Sequence, residues 1–192
     1  MNKEHIKISN VANLPTKHGL FKVQAFKEGY KEHLLIWTEN QSCEAPLVRV
    51  HSECVTGDAL GSRKCDCGEQ LDRAMKLIQM AGCGAILYLR QEGRNIGLLN
   101  KINAYALQDQ GFDTVAANHQ LGFADDERSY EIAELMLEHL GAKQIRLLTN
   151  NPNKLESFEK VKIIERVPLI VESNEYNAGY LKTKKEKSGH LL

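Results

Sequence analysis

Cys54, Cys65 and Cys67 stand in the segment CVTGDALGSRKCDCGEQ, with the spacing Cys-x10-Cys-x-Cys. Zinc takes sulfur and nitrogen ligands tetrahedrally, and a Cys-x-Cys bite supplies two vertices from one loop. Structural zinc sites close with four protein ligands, whereas catalytic sites keep a vertex for water, so three clustered thiols without an obvious fourth lean catalytic. Cys43, Cys83 and His51 are the available fourth ligands, and any of them would make the site structural. Ordinary buried cysteines are the plainer alternative. The chain begins MNKEHIKISNVANLPT, without the apolar core of a signal peptide, which predicts a cytoplasmic protein with reduced thiols.

Other stretches carry weaker signals. His51-x-Glu53 ahead of a cysteine pair is similar to the zinc nucleobase deaminase pattern, but no proline precedes Cys65 and one residue, not two, separates the pair. Arg90-Gln91-Glu92-Gly93-Arg94-Asn95-Ile96-Gly97 follows a predicted strand and opens a helix, a place where backbone N–H groups and the helix dipole favour anions. A solvated charged loop explains it equally well. Tyr105 falls beside Ile102 and Ala106 on the apolar side of its helix and reads as a core aromatic. Asp126 and Arg128 lie at a helix entry, where aspartate commonly caps. Thr149 to Lys154 joins a strand to a helix start, with a lysine available for phosphate or simply a turn and cap.

These residues need a scaffold, and the 192-residue chain is long enough to bury a sizeable core. Lys plus Arg and Asp plus Glu both number 25, so net charge gives no reason to bind nucleic acid or an anionic membrane. An anionic ligand must be held by a local cluster. No stretch approaches the roughly 18 apolar residues of a membrane span. Alternation predicts strands over Phe21–Phe26, Leu34–Trp37 and Leu47–Val50. Leu71, Ala74, Met75 and Ile78 then keep helical spacing up to Gly82. A strand over Ala85–Leu89 follows, then helices over Ile96–Gln110 and Ser129–Leu140, and a strand over Ile145–Leu148. A helix start at Asn151-Pro152 and a strand over Val167–Val171 complete the order. This is an α/β class, with a mixed sheet and helices packed in layers. The expected organisation is one domain over 1–192: a β-rich part at 1–50, a catalytic α/β part at 51–172, and a peripheral basic tail at 173–192.

Taken together, the motifs closely resemble the GTP cyclohydrolase II family. The resemblance is carried by RVHSECVTGDALGSRKCDCG at Arg49 to Gly68 and RQEGRNIGLLNKINAYALQDQGFDTVAANHQLGF at Arg90 to Phe123. DDERSY at Asp125 to Tyr130 and RLLTNNPNK at Arg146 to Lys154 complete it. It implies a cytoplasmic homodimer with one catalytic zinc per chain, held by Cys54, Cys65 and Cys67. The implied reaction, the first of riboflavin biosynthesis, converts GTP to 2,5-diamino-6-ribosylamino-4(3H)-pyrimidinone 5′-phosphate, formate and diphosphate. Implied GTP contacts are Arg49, Val50, His51, Ser52, Glu53, Gln70, Glu92, Gly93, Arg94, Thr114, Thr149 and Lys154. Asp126 takes the place of a proton acceptor, Arg128 that of a nucleophile toward the α-phosphate, and Tyr105 that of a tyrosine needed for ring opening. Because a guanidinium must lose a proton before it attacks, stabilisation of phosphate charge by Arg128 is the alternative. A magnesium ion would accompany the triphosphate. Three thiolates leave a zinc site with a net negative charge, which Arg63, Lys64 or Arg94 would offset.

Overall fold

The protein is described by a computed structural model covering residues 5–187 and 189–191. Its N-terminal strands are β1 (Ile6–Ile8), β2 (Ala12–Thr16), β3 (Gly19–Glu28) and β4 (Lys31–Trp37). All pair antiparallel, with β1 and β2 sharing β3 as their partner. Then follow β5 (Leu47–Ser52), α1 (Val55–Asp58), α2 (Cys67–Ala81), β6 (Gly84–Leu89), α3 (Gly97–Asp109), α4 (Thr114–Gln120) and α5 (Glu131–His139). The remaining elements are β7 (Gln144–Leu148), β8 (Lys162–Val167) and α6 (Ala178–Lys187). The sheet runs β1-β3-β4-β6-β5-β7-β8, antiparallel as far as β6 and parallel from β6 through β8. This mixed sheet with helices on it is the predicted α/β class.

Successive side chains of a strand point to opposite faces, and the two cores follow from that rule. Val48, Val50, Ala85, Leu87, Ile145 and Leu147 meet Ile132, Ala133, Met136 and Leu137 of α5 on one face. Leu47, Ile86 and Leu148 meet Ala74 and Ile78 of α2 on the other. Gly82, at φ 71°, ends α2 in the left-handed conformation that costs glycine little. The chain leaves β5 through α2 to β6 on one side, then returns through α5 to β7 on the other. Such a reversal opens a crevice at the carboxyl ends of the parallel strands.

Four expectations are corrected. The strand predicted over Val167–Val171 lies earlier, as β8, because Pro168 has no N–H to continue the ladder. The helix start at Asn151-Pro152 yields a single 3-10 turn, Pro152–Lys154. The apolar stripe of α3 faces outward: Leu98, Leu99 and Ile102 are 43%, 76% and 46% exposed, while Lys101 and Ala104 turn in. The basic tail is not peripheral, since α6 folds across the crevice and buries Lys184.

Candidate active site

The crevice is built outward from the end of β5. Alternation sends Val50 into the α5 core and leaves Arg49 and His51 on the α2 side. Buried Arg49 donates to the Leu148 carbonyl at 3.0 Å and to Gln70 Oε1 at 2.6 Å. His51 Nε2 pairs with Asp58 at 3.1 Å, and Asp58 also accepts from the Cys54 N–H and the Tyr88 hydroxyl. Ser52 and Glu53 carry the strand to the rim, where Glu53 accepts from Arg90 Nε at 2.8 Å.

At the floor, Cys54 precedes α1, Cys65 lies in the following loop and Cys67 opens α2. Their sulfur atoms all lie within 4.8 Å of one another, and those of Cys54 and Cys65 are 3.5 Å apart. Zinc bound at about 2.3 Å would space tetrahedral sulfurs about 3.8 Å apart, so donor set and spacing fit that ion. Gly57 makes the room: a Cβ there would stand 2.9 Å from Cys65 Sγ and 3.1 Å from Cys54 Sγ. Among the described residues no other Cys, His, Asp or Glu joins the cluster. Cys43 and Cys83 are excluded as fourth ligands, and the expectation that they are reduced is corrected. They form a disulfide, with sulfurs 2.02 Å apart, at the far end of β5 and β6, where Leu47 N–H on Cys83 O brings the two segments together.

The walls are charged. Lys154 Nζ is buried and donates to the Val50 carbonyl at 2.7 Å. Burial, then repulsion from Arg49, Arg128 and Lys184, holds its pKa well below the usual lysine range. Arg128 grips Asp126 through two nitrogens, at 2.7 and 2.5 Å, and reaches Ser52 Oγ at 3.4 Å. Burial alone would raise the Asp126 carboxyl, but bonding and charge from Arg128 outweigh it and leave its pKa low. Burial likewise opposes the Arg128 cation, and Asp126 overcomes that, raising its pKa. Tyr105 does not join the core as its periodicity predicted; it lines the crevice, its hydroxyl 3.3 Å from Thr56 Oγ1. Burial raises its pKa. Thr114, Thr149 and the Glu92–Gly93–Arg94 turn complete the lining. Gly93 and Arg94 both sit at φ 62°, and Arg94 donates to the Asp125 carbonyl at 2.8 Å. Asp126 itself is held behind Arg128 and is not among the lining residues.

Several lining residues escaped sequence reasoning. Lys101 Nζ touches Cys54 Sγ at 3.0 Å. Lys184 reaches Asp66, between two of the cysteines, at 2.6 Å, and Tyr180 and His190 line the same wall. The one available signal was that Lys101 and Tyr105 lie four residues apart, on one side of a helix. Of the cations expected to offset the thiolates, Lys64 pairs with Asp109, Arg63 stacks on Tyr176 and Arg94 turns to the Asp125 carbonyl.

The sequence profile described as GTP cyclohydrolase II matches residues 7–168. The chain belongs to the GTP cyclohydrolase II family. A GTP cyclohydrolase-2 of Campylobacter hominis is 58% identical over 188 residues, covering 98% of this chain and 96% of that protein. One from Helicobacter pylori is 56% identical over 193 residues, covering 98% of this chain and all of that protein. One from Sulfurospirillum multivorans is 67% identical over 142 residues, 74% of this chain and all of that one. As a GTP cyclohydrolase II enzyme, the chain carries its thiol cluster and cationic wall within the matched span, whereas α6 lies beyond it.

Proposed function

We propose that the protein catalyses the first step of riboflavin biosynthesis, hydrolysing GTP to 2,5-diamino-6-ribosylamino-4(3H)-pyrimidinone 5′-phosphate, formate and diphosphate. The observation that carries this reading is the convergence of three thiols on the floor of a crevice whose wall bears Arg49, Arg128 and Lys154. A zinc ion held by Cys54, Cys65 and Cys67 would supply Lewis acidity for hydrolysis.

The chain's own residues do the rest. Lys154 sits among cations that disfavour its charge, and a triphosphate, accompanied by magnesium, relieves that repulsion. Asp126 keeps Arg128 protonated, which suits it to stabilise phosphate charge; a guanidinium so held is a poor nucleophile. Tyr105, kept protonated by burial, faces the cluster and can give its proton to a ring nitrogen as the C8–N bond opens. Gln70 orients Arg49, while Thr114, Thr149, His51, Ser52, Glu53 and the Glu92–Arg94 turn shape the remaining contacts with GTP. The outward apolar stripe of α3 supports a homodimer.

Incubation with GTP, zinc and magnesium, followed by identification of every product, tests the proposal. Formate and diphosphate in equal amounts support it. Ammonia without formate would mark deaminase-like chemistry instead, and GTP binding without turnover would mark a binding module.

A further inference from the structure

Lys101 has no part in the roles assigned above, yet it is buried beside the cysteines. It projects from α3 into the floor of the crevice and is 8% exposed. Its ammonium lies 3.0 Å from Cys54 Sγ and 2.7 Å from Glu92 Oε1. The other oxygen of Glu92 accepts from the Val55 N–H at 2.6 Å, one residue past Cys54. Lys101 and Glu92 thus clamp the residue pair Cys54–Val55.

Charge explains why a cation belongs there. Three thiolates around a divalent ion total −1 in a place poorly reached by water, and the ion's Lewis acidity is blunted by three electron-rich sulfurs. A hydrogen bond from an ammonium to one sulfur draws density from it and offsets the thiolate charge there, in competition with Glu92 for the same ammonium. Groups that bond to a metal's ligands commonly set metal affinity and electronics in this way. Lys64, Arg63 and Arg94 have the partners named above, and Lys101 is the cation among the described residues that touches a ligand sulfur.

We propose that Lys101 is a positioning residue that acts through Cys54, compensating the thiolate charge and setting the electron density on that sulfur, with Glu92 moderating how much of the ammonium's charge the sulfur receives. The proposal rests on the metal-binding reading of the cluster.

Cobalt(II) in place of zinc makes the sulfur electron density visible through the thiolate-to-metal charge-transfer band. Full-length wild type, Lys101→Met and Glu92→Gln are to be compared for that band, for metal affinity by chelator competition, and for folding by circular dichroism. Lys101→Met should move the band to lower energy and weaken metal binding roughly 10–100-fold. Glu92→Gln should move it the opposite way, because the ammonium is no longer shared with a carboxylate. A merely structural lysine gives no such opposed pair of shifts. A folded Lys101→Met with wild-type band and affinity overturns the proposal. If Lys101→Met does not fold, Glu92→Gln decides alone: a shift to higher energy supports the proposal and no shift overturns it. Should wild type show no thiolate band with cobalt, the metal reading fails together with the role built on it, whereas a wild-type band with unshifted variants removes the Lys101 role only.

Discussion

Arg128 and Asp126, two residues apart in sequence, form a two-pronged ion pair in which Nε and a terminal nitrogen each take one carboxylate oxygen. The pair presents a fixed cation at the crevice wall, with its counter-charge held behind it. Replacing Arg128 by Ala should slow diphosphate release about 10²–10³-fold, the usual cost of a lost charge-stabilising donor. Arg128→Lys should recover part of the loss, since a point charge still binds phosphate. Wild-type protein denatured at alkaline pH, where a P–N bond survives, should show no nucleotidyl adduct by mass spectrometry; an adduct on Arg128 would establish covalent catalysis.

The thiols lie on the floor and the cations on the wall of one crevice, and their different chemistries predict separable half-reactions. Cys65→Ser, provided it stays folded, should make no formate from GTP while still releasing diphosphate. Tyr105→Phe should lose roughly 10²–10⁴-fold in formate release, as expected for an acid–base group. Parallel loss of both products in Cys65→Ser protein that binds GTP would show that the two steps share their machinery.

Cys43 and Cys83 link segments 40 residues apart, at the end of the sheet remote from the crevice. Cys43→Ser should lower unfolding stability by about 2–4 kcal/mol in oxidising buffer and by little in reductant. Ring opening should be nearly unchanged in either condition. A large loss of formate release would mean that the disulfide end of the sheet communicates with the cysteine cluster.

His33 supplies a pH signature. Burial first, then Lys31 and Arg90, lower its pKa from 6.5 to about 4, and its neutral ring accepts the Arg90 N–H at 3.1 Å. Between those two values the unfolded chain binds a proton that the folded chain refuses. Stability should therefore rise with pH across that window and be lost on acidification, by up to about 1.4 kcal/mol per pH unit from this group. Urea unfolding of His33→Gln, which keeps an acceptor for Arg90, should show a flatter dependence.

Leu98, Leu99 and Ile102 predict a subunit contact along α3. Leu99→Lys should shift the protein toward monomer in sedimentation experiments. An unchanged mass would place any dimer contact elsewhere.

Much of this was legible from residue spacing. The alternation in Phe21–Phe26 located β3, whose Phe21 and Phe26 enter the two opposite cores, and the helical period of Leu71, Ala74, Met75 and Ile78 located α2, which presents one apolar face to one core. The cysteine spacing likewise pointed to the cluster. The same rule misled at α3, where Leu98, Leu99 and Ile102 meet solvent, while Tyr105, grouped with Ile102 by period, turns with Lys101 to the crevice. Periodicity reports which side of a helix is apolar, not what that side faces. Lys184 was illegible for a related reason: a lysine in a basic run looks solvated until a distant carboxylate, Asp66, is brought to it by the fold.

That last contact has a practical consequence. Asp66 stands between Cys65 and Cys67, so the loop that shapes the cluster also supplies the anchor for α6, whose residues are otherwise mostly exposed. Disturbing the loop removes the anchor, and a helix with so little apolar contact should then fray. Trypsin would find Lys182 and Lys185, and a slightly shortened band on a gel would report damage at the cysteines without any substrate being added.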